Sequence, residues 1–306
     1  MFHLIFEDWE DFMAKYRVPW SLVIPIKDEA EIVARTLPNY LALCPLELVV
    51  CMDDPPDDVT YHTIYRVLCE FPELDFKFVF VKRDTSWGYH QAYVRRAGFD
   101  AASHDLILTG DIDLVVNQNC HEALQTLLYK QENGVGLVSC AKFYWPAGLV
   151  GLYRTFSTEI ATLFGSLMHR LKGEKSQVGN FTGLYAFSKS RWQDTEPREK
   201  VMQMVSPKAL LQPKEALSPK ASDYRQYYCG EDTFLRDYML TKYQCVYLGS
   251  VGGVSLRPAI SNDPVVQFFV GMYERSRGRN LLKALLTTFM YFRPYYFMGY
   301  RWKRRH

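Results

Sequence analysis

Short apolar runs alternate with amphipathic helical segments along the first half of the chain, and this alternation limits the fold more than any other feature. The runs SLVIPI (Ser21–Ile26), ELVVCMDD (Glu47–Asp54), FKFVFVKR (Phe76–Arg83), DLILTGDID (Asp105–Asp113) and GLVSCAKFYW (Gly136–Trp145) read as strands. Between them, DEAEIVARTL, DDVTYHTIYRVLCEF, GYHQAYVRRAGFDAAS and NCHEALQTLLYKQ carry helical spacing. Strands that alternate with helices form βαβ units, so the expected class is α/β with a mostly parallel sheet flanked by helices.

In such sheets ligands bind beyond the carboxyl ends of the strands. Three of the expected strands end there in acids: Asp28 and Glu29, Asp53 and Asp54, and Asp111 and Asp113. On an extended chain Asp111 and Asp113 point to the same side, and no Lys or Arg stands within DLILTGDIDLVV to offset them. A lone D-x-D also serves as a strand-end turn or cap. A divalent cation with hard oxygen ligands, Mn²⁺ or Mg²⁺, would compensate the pair and complete its shell with water and substrate phosphates. A nucleoside diphosphate is the natural phosphate donor to such a site, and a bound cation stabilises charge developing on a diphosphate leaving group.

The second half is less regular. GLYRTFSTEIATLFGSLMHRL reads as a long amphipathic helix, GNFTGLYAFSKS as a turn and a strand, and residues 191–228, polar and broken by prolines, as a long loop, flap or insertion. GEDTFLRDYMLTK starts a helix, with Glu231 and Asp232 at the N-terminus where the dipole favours negative charge. Residues 1–260 read as one domain and residues 261–306 as a basic, aromatic helical tail. From Tyr273 to His306 nine Lys and Arg face one acid, +8, so the remainder carries −6 of the net +2. Phe, Tyr and Trp mixed with Arg and Lys form the pattern of a segment lying on an anionic membrane surface, and no uninterrupted apolar stretch reaches 18 residues. The opening MFHLIFEDWEDF has acids where a secretory signal has basic residues. With seven scattered cysteines, it suggests reduced thiols and a cytoplasmic protein, peripheral at a cytosolic membrane face.

Taken in order, these motifs resemble the family 2 glycosyltransferases, with their Rossmann-like GT-A fold, from about Ser21 to Leu240. VIPIKDEAEIVARTL looks like the family's opening strand and P-x-x-x-E, here Pro25 and Glu29. ELVVCMDDPPDD is similar to its second strand, whose terminal acid, Asp53, would contact the base or ribose. V-R-R-A-G stands where the family carries A-R-N-x-G, so Arg95 takes the Arg place and Arg96 departs from the Asn. Asp111 and Asp113 fall on the nucleotide-sugar and metal positions. GNFTGLYAFSKS looks like the acceptor-side glycine turn and GEDTFL like the Glu-Asp motif, with Asp232 as base and Glu231 beside it. The family's Q-x-x-R-W continuation is replaced by YERSRGRN, whose Arg275, Arg277 and Arg279 would approach diphosphate or lipid phosphate.

The resemblance implies metal-dependent, inverting transfer from a UDP- or GDP-sugar to a glycan hydroxyl or lipid-linked acceptor. Nucleic acid is not an expected partner, because no readout motif is present. Other classes fit these motifs less well. A non-catalytic nucleotide-sugar binding protein has no chemical need for both D-x-D and Glu-Asp. A haloacid dehalogenase-type phosphatase would carry D-x-D on an early strand and follow it with Thr or Ser, whereas Leu114 and Val115 follow here.

Overall fold

The computed structural model describes residues 18–82, 90–144, 153, 156, 183–195, 235, 236, 238–257, 271, 280–290 and 294–301. Strands β1 (Trp20–Pro25), β2 (Glu47–Asp54), β3 (Asp75–Lys82) and β4 (Leu106–Gly110) alternate with helices α1 (Ala30–Leu41), α2 (Asp58–Leu68) and α3 (His90–Ala101). Then follow β5 (Leu114–Val116), α4 (His121–Tyr129), β6 (Val135–Tyr144), β7 (Leu184–Ser188), α5 (Lys189–Thr195) and β8 (Gln244–Ser255). Helices α6 (Leu281–Met290) and α7 (Pro294–Arg301) close the described chain.

The eight strands form one sheet in the order β3-β2-β1-β4-β7-β6-β8-β5. The pairs β1–β2, β1–β4, β2–β3 and β6–β8 are parallel, while β4–β7, β6–β7 and β5–β8 are antiparallel. Both faces of the sheet are covered. Leu22, Ile24, Leu48 and Val50 pack with α1, α2 and α4 on one side. Val23, Val49 and Ile107 alternate to the other, against Val94 and Phe99 of α3 and Trp192 of α5. Such double burial is why these strands read as unbroken apolar runs.

The sheet must curl. Flat, it would hold β4 and β5 four strand spacings apart, about 19 Å. Only Asp111, Ile112 and Asp113 separate those strands, and four Cα steps reach at most about 14 Å. Closing that gap draws the ends of β6 and β8 around the D-x-D segment.

Two expectations need correction, and one strand is unexpected. The strand expected over 105–113 ends at Gly110, and Asp111–Asp113 form a turn, with Leu114 N–H donating to the Asp111 carbonyl at 3.1 Å. The partner strand β7 begins at Leu184; Asp111 N–H makes its last bond, 3.0 Å, to Gly183 O, and the ladder stops. The expected loop over 191–228 is helical at 191–195, because Trp192 is buried against Phe99 and Phe187; the rest lies outside the described residues. The sequence reading assigned nothing to 244–255, which is β8. Its glycines argue against a strand, yet a Cβ on Gly252 would lie 2.1 Å from the Ala141 carbonyl oxygen, so close pairing with β6 requires glycine there.

Candidate active site

Helix α1 grips the D-x-D turn through one face. Thr36 Oγ1 donates to the Ile112 carbonyl at 2.6 Å and the Tyr40 hydroxyl to the Asp111 carbonyl at 2.9 Å. Asn39 Oδ1 accepts from Val116 N–H at 2.6 Å. Spacings of three and four place these side chains on one side of a helix. Ile112 is buried in the core, so the apolar residue between the acids anchors the turn from beneath.

Asp111 is held on both oxygens. Arg95 Nη2 donates to Oδ1 at 2.6 Å and Lys142 Nζ to Oδ2 at 2.7 Å. Burial would raise its pKa, but Arg95 and Lys142 outweigh burial and hold the carboxyl below the usual range. Arg95 reaches the strand ends because α3 lies close on the sheet: a Cβ on Gly98 would stand 2.1 Å from Cys51 Sγ. Arg96, the departure from the family pattern, points elsewhere, with its guanidinium 5.1 Å from the centroid of Trp192. Gly183 supports Asp111 from behind, where a Cβ would lie 2.1 Å from Oδ2.

Asp113 is 8% exposed. Ser255 Oγ donates to its Oδ2 at 2.5 Å and accepts from Arg257 N–H at 3.2 Å. Oδ1 is buried and has no hydrogen-bond partner among the described residues; Lys142 Nζ stands 3.9 Å away.

Glu29 comes to the same place from β1. That strand ends at Pro25, two residues after its pairing with β4 stops at Val23, so the missing N–H leaves no gap in that ladder. Asp28 takes a φ of 49°, in the left-handed region that Asp tolerates better than most residues. Glu29 then stands at the N-cap position of α1 without a side-chain cap bond, donating its N–H to Thr60 Oγ1 at 3.0 Å and pairing its carboxylate with Arg257. Burial raises its pKa; Arg257 opposes that, while Asp113 and Asp111 add to it.

The structure therefore brings together Pro25, Glu29, Arg95, Asp111 and Asp113. Asp53, the penultimate residue of β2, pairs with Val81 of β3 beyond the last β1–β2 pair, its side chain outside the described set, and Asp54 is exposed. Glu231, Asp232, Arg275, Arg277, Arg279, Trp87 and Trp145 lie outside the described residues. Tyr185, an aromatic for which core packing is the expectation ahead of sugar stacking, is fully buried in the core. Burial raises the Cys51 and Cys120 thiols to about 12, so they act as small apolar residues.

Sequence reasoning missed Tyr40, Lys142, Ser255 and Arg257. Lys142 had a signal, since it is the one cation in the apolar run GLVSCAKFYW. Ser255 ends and Arg257 follows a glycine-rich strand that carries none.

The residues present suit a divalent cation. Asp113 Oδ1 is a hard oxygen, buried and unsatisfied, and Mg²⁺ or Mn²⁺ sites are commonly built on one or two carboxylates with substrate phosphates filling the shell. Among the described residues no group of three or more His, Cys, Asp or Glu is placed to hold a metal.

No curated protein matches the sequence. Among solved structures, the chain resembles Mycobacterium tuberculosis glucosyl-3-phosphoglycerate synthase in complex with Mn²⁺, UDP-glucose and phosphoglyceric acid. The identity is 18% and the TM-score 0.46, over 90% of this chain and 85% of that one. It also resembles S. aureus TarS at 14% identity and TM-score 0.45, over 84% of this chain, spanning 65% of the TarS chain. The sequence model of glycosyl transferase family 2 matches residues 21–189, more than half of the 306 residues. With its strand-end carboxylates on a curled, mostly parallel α/β sheet, the chain belongs to glycosyl transferase family 2.

Proposed function

We propose that the chain transfers a sugar from a UDP- or GDP-sugar, with inversion, to a hydroxyl or lipid-phosphate acceptor in glycan or glycolipid synthesis. The observation that carries this reading is the D-x-D turn, clamped by α1, with one buried carboxylate oxygen of Asp113 left for a ligand. Asp113 would hold Mn²⁺ or Mg²⁺ with Asp111 adjacent, and the cation when bound would offset the charge on the departing diphosphate.

The chain's own residues account for the rest. Glu29, Asp53 and Arg95 surround the nucleotide side, Arg95 by fixing Asp111 as an ionised group. The acceptor hydroxyl oxygen bonds to the anomeric carbon as the bond from that carbon to the diphosphate oxygen breaks in line on the opposite face. Asp232 takes the hydroxyl proton, with Glu231 beside it to orient the acceptor, and the nucleoside diphosphate leaves. A lipid-phosphate acceptor carries no proton to remove, and Asp232 would then position it. Arg275, Arg277 and Arg279 supply positive charge for diphosphate or lipid phosphate.

The tail supports a membrane-side acceptor. Leu282, Leu286 and Phe289 of α6 are exposed at spacings of four and three, Phe289 at 72%, while Ala284 faces inward. With +8 over 273–306, this is the apolar-plus-basic face that lies on anionic lipid. Among the described residues no helix is long and apolar enough to cross a membrane.

A thermal-shift panel of UDP, GDP, CDP and dTDP, each with Mn²⁺ or with EDTA, tests the reading on the wild type and Asp113→Ala. Ligand at a hundredfold excess over Kd adds about 2.7 kcal/mol to stability. We expect a metal-dependent shift for UDP or GDP that Asp113→Ala abolishes. No shift with any of the four, or one that survives the substitution, would reject it.

A further inference from the structure

We infer that Lys142 is a resident counter-ion of the D-x-D pair, which a divalent cation must displace and which then serves the donor's diphosphate. The inference rests on the metal site proposed above and adds to it a coupling between metal and nucleotide.

Charge and geometry argue for this. The described side chains that meet at the strand ends include three carboxylates, Glu29, Asp111 and Asp113, and three cations, Arg95, Lys142 and Arg257. Those six formal charges already cancel. Each cation has a different hold. Arg257 pairs with Glu29 at the rim. Arg95 is buried, and its planar guanidinium is locked onto Asp111 Oδ1. Lys142 alone of the three stands between the two acids, 2.7 Å from Asp111 Oδ2 and 3.9 Å from the unsatisfied Asp113 Oδ1.

A cation bound through Asp113 Oδ1 would therefore meet an ammonium beside its ligand, and like charges at such range repel. Lysine, a point charge on a flexible four-carbon stem, can swing aside where Arg95 cannot. Its side chain is only 9% exposed, so a displaced ammonium needs another anion nearby. Diphosphate oxygens meet that need, since they occupy the same site. Metal alone then binds against Lys142, while metal with a nucleoside diphosphate binds with its help. Coupling of this kind is reciprocal, so metal and nucleotide must each raise the other's affinity by one common factor.

The experiment is a Mn²⁺ titration followed by electron paramagnetic resonance, without nucleotide and with saturating UDP or GDP. The proteins are the wild type, Lys142→Met, Lys142→Gln, Lys142→Arg and Asp113→Ala. Removing the charge should tighten Mn²⁺ binding without nucleotide by about tenfold or more and shrink the gain from nucleotide by a similar factor, whereas Lys142→Arg should keep the wild-type pattern. Lys142→Gln keeps a donor for Asp111 Oδ2, so it gives the readout should Lys142→Met fold poorly; a purely structural lysine would not tighten Mn²⁺ binding when removed. Unchanged or weaker Mn²⁺ binding in the neutral variants overturns the inference and leaves the metal site standing. Mn²⁺ held at wild-type affinity by Asp113→Ala overturns the metal site and the inference together.

Discussion

The Tyr40 hydroxyl donates a 2.9 Å hydrogen bond to the main-chain carbonyl of Asp111, tying the first helix to the turn that carries both site acids. Tyr40 is fully buried and the bond itself part-buried, and a buried polar group left unpaired costs about 1–3 kcal/mol. Tyr40→Phe should lower unfolding stability by about that amount and weaken nucleotide binding, with the fold retained. Gly110→Ala should do more, since its Cβ would lie 2.1 Å from the same hydroxyl oxygen. Urea denaturation and the nucleotide thermal shift, measured on both variants, check this; two variants with wild-type stability would contradict the clamp.

Asp232→Asn separates chemistry from donor binding. A positioned base typically contributes 10²–10⁴-fold to rate. With a hydroxyl acceptor, kcat should fall by at least about a hundredfold while the metal-dependent nucleotide shift persists. Retained kcat would remove Asp232 from the base role and favour a phosphate acceptor.

Glu47 sits at the far end of β2 from the site. It accepts from Ser21 Oγ, from Ser103 N–H and Oγ at 2.8 Å each, and pairs with Lys77. Burial alone would raise its pKa, but the bonds from Lys77, Ser21 and Ser103 bring it down from 4.5 to about 2. A depressed folded pKa stabilises the protein above about pH 4.5 and loses that contribution as pH falls toward 2. Glu47→Gln should cost about 1–3 kcal/mol at pH 7, because Ser21, Ser103 and Lys77 lose a charged acceptor, and should flatten the stability profile between pH 4.5 and 2. Denaturant midpoints at a series of pH values measure both effects. A variant as acid-sensitive as the wild type in that window would refute the assignment.

Membrane attachment of the tail is tested by replacing Leu282, Leu286 and Phe289 together with Ser. Each is exposed, so the fold should keep its melting temperature. Sedimentation with vesicles containing anionic lipid should drop at least about tenfold, and neutral vesicles should bind the wild type weakly. Equal sedimentation of the triple variant would show that this face does not carry attachment.

Much of the site was legible without coordinates, for local reasons. Double burial of the parallel strands leaves apolar runs that cannot be mistaken for helix surface, and acids that follow such runs must arrive at one sheet edge. Glu29, Asp111 and Asp113 are legible that way, and Pro25 and Arg95 through the resemblance of VIPIKDEAE and V-R-R-A-G to the family's motifs. The strand assigned to 105–113 failed at Asp111 because its end depends on Gly183, more than seventy residues later. Strand β8 escaped because Gly252 answers to the Ala141 backbone and Gly253 to that of Val115, contacts that no window of sequence contains.

The sequence by itself determined that an acid pair would stand at a strand end and that something must offset its charge. What offsets it was decided by tertiary structure. Three residues cannot bridge four flat strand spacings, so the sheet curls and swings Lys142 and Ser255 onto carboxylates 31 and 142 positions away in the chain. Local pattern specifies which groups reach the strand ends. Only the curl of the sheet specifies which of them touch.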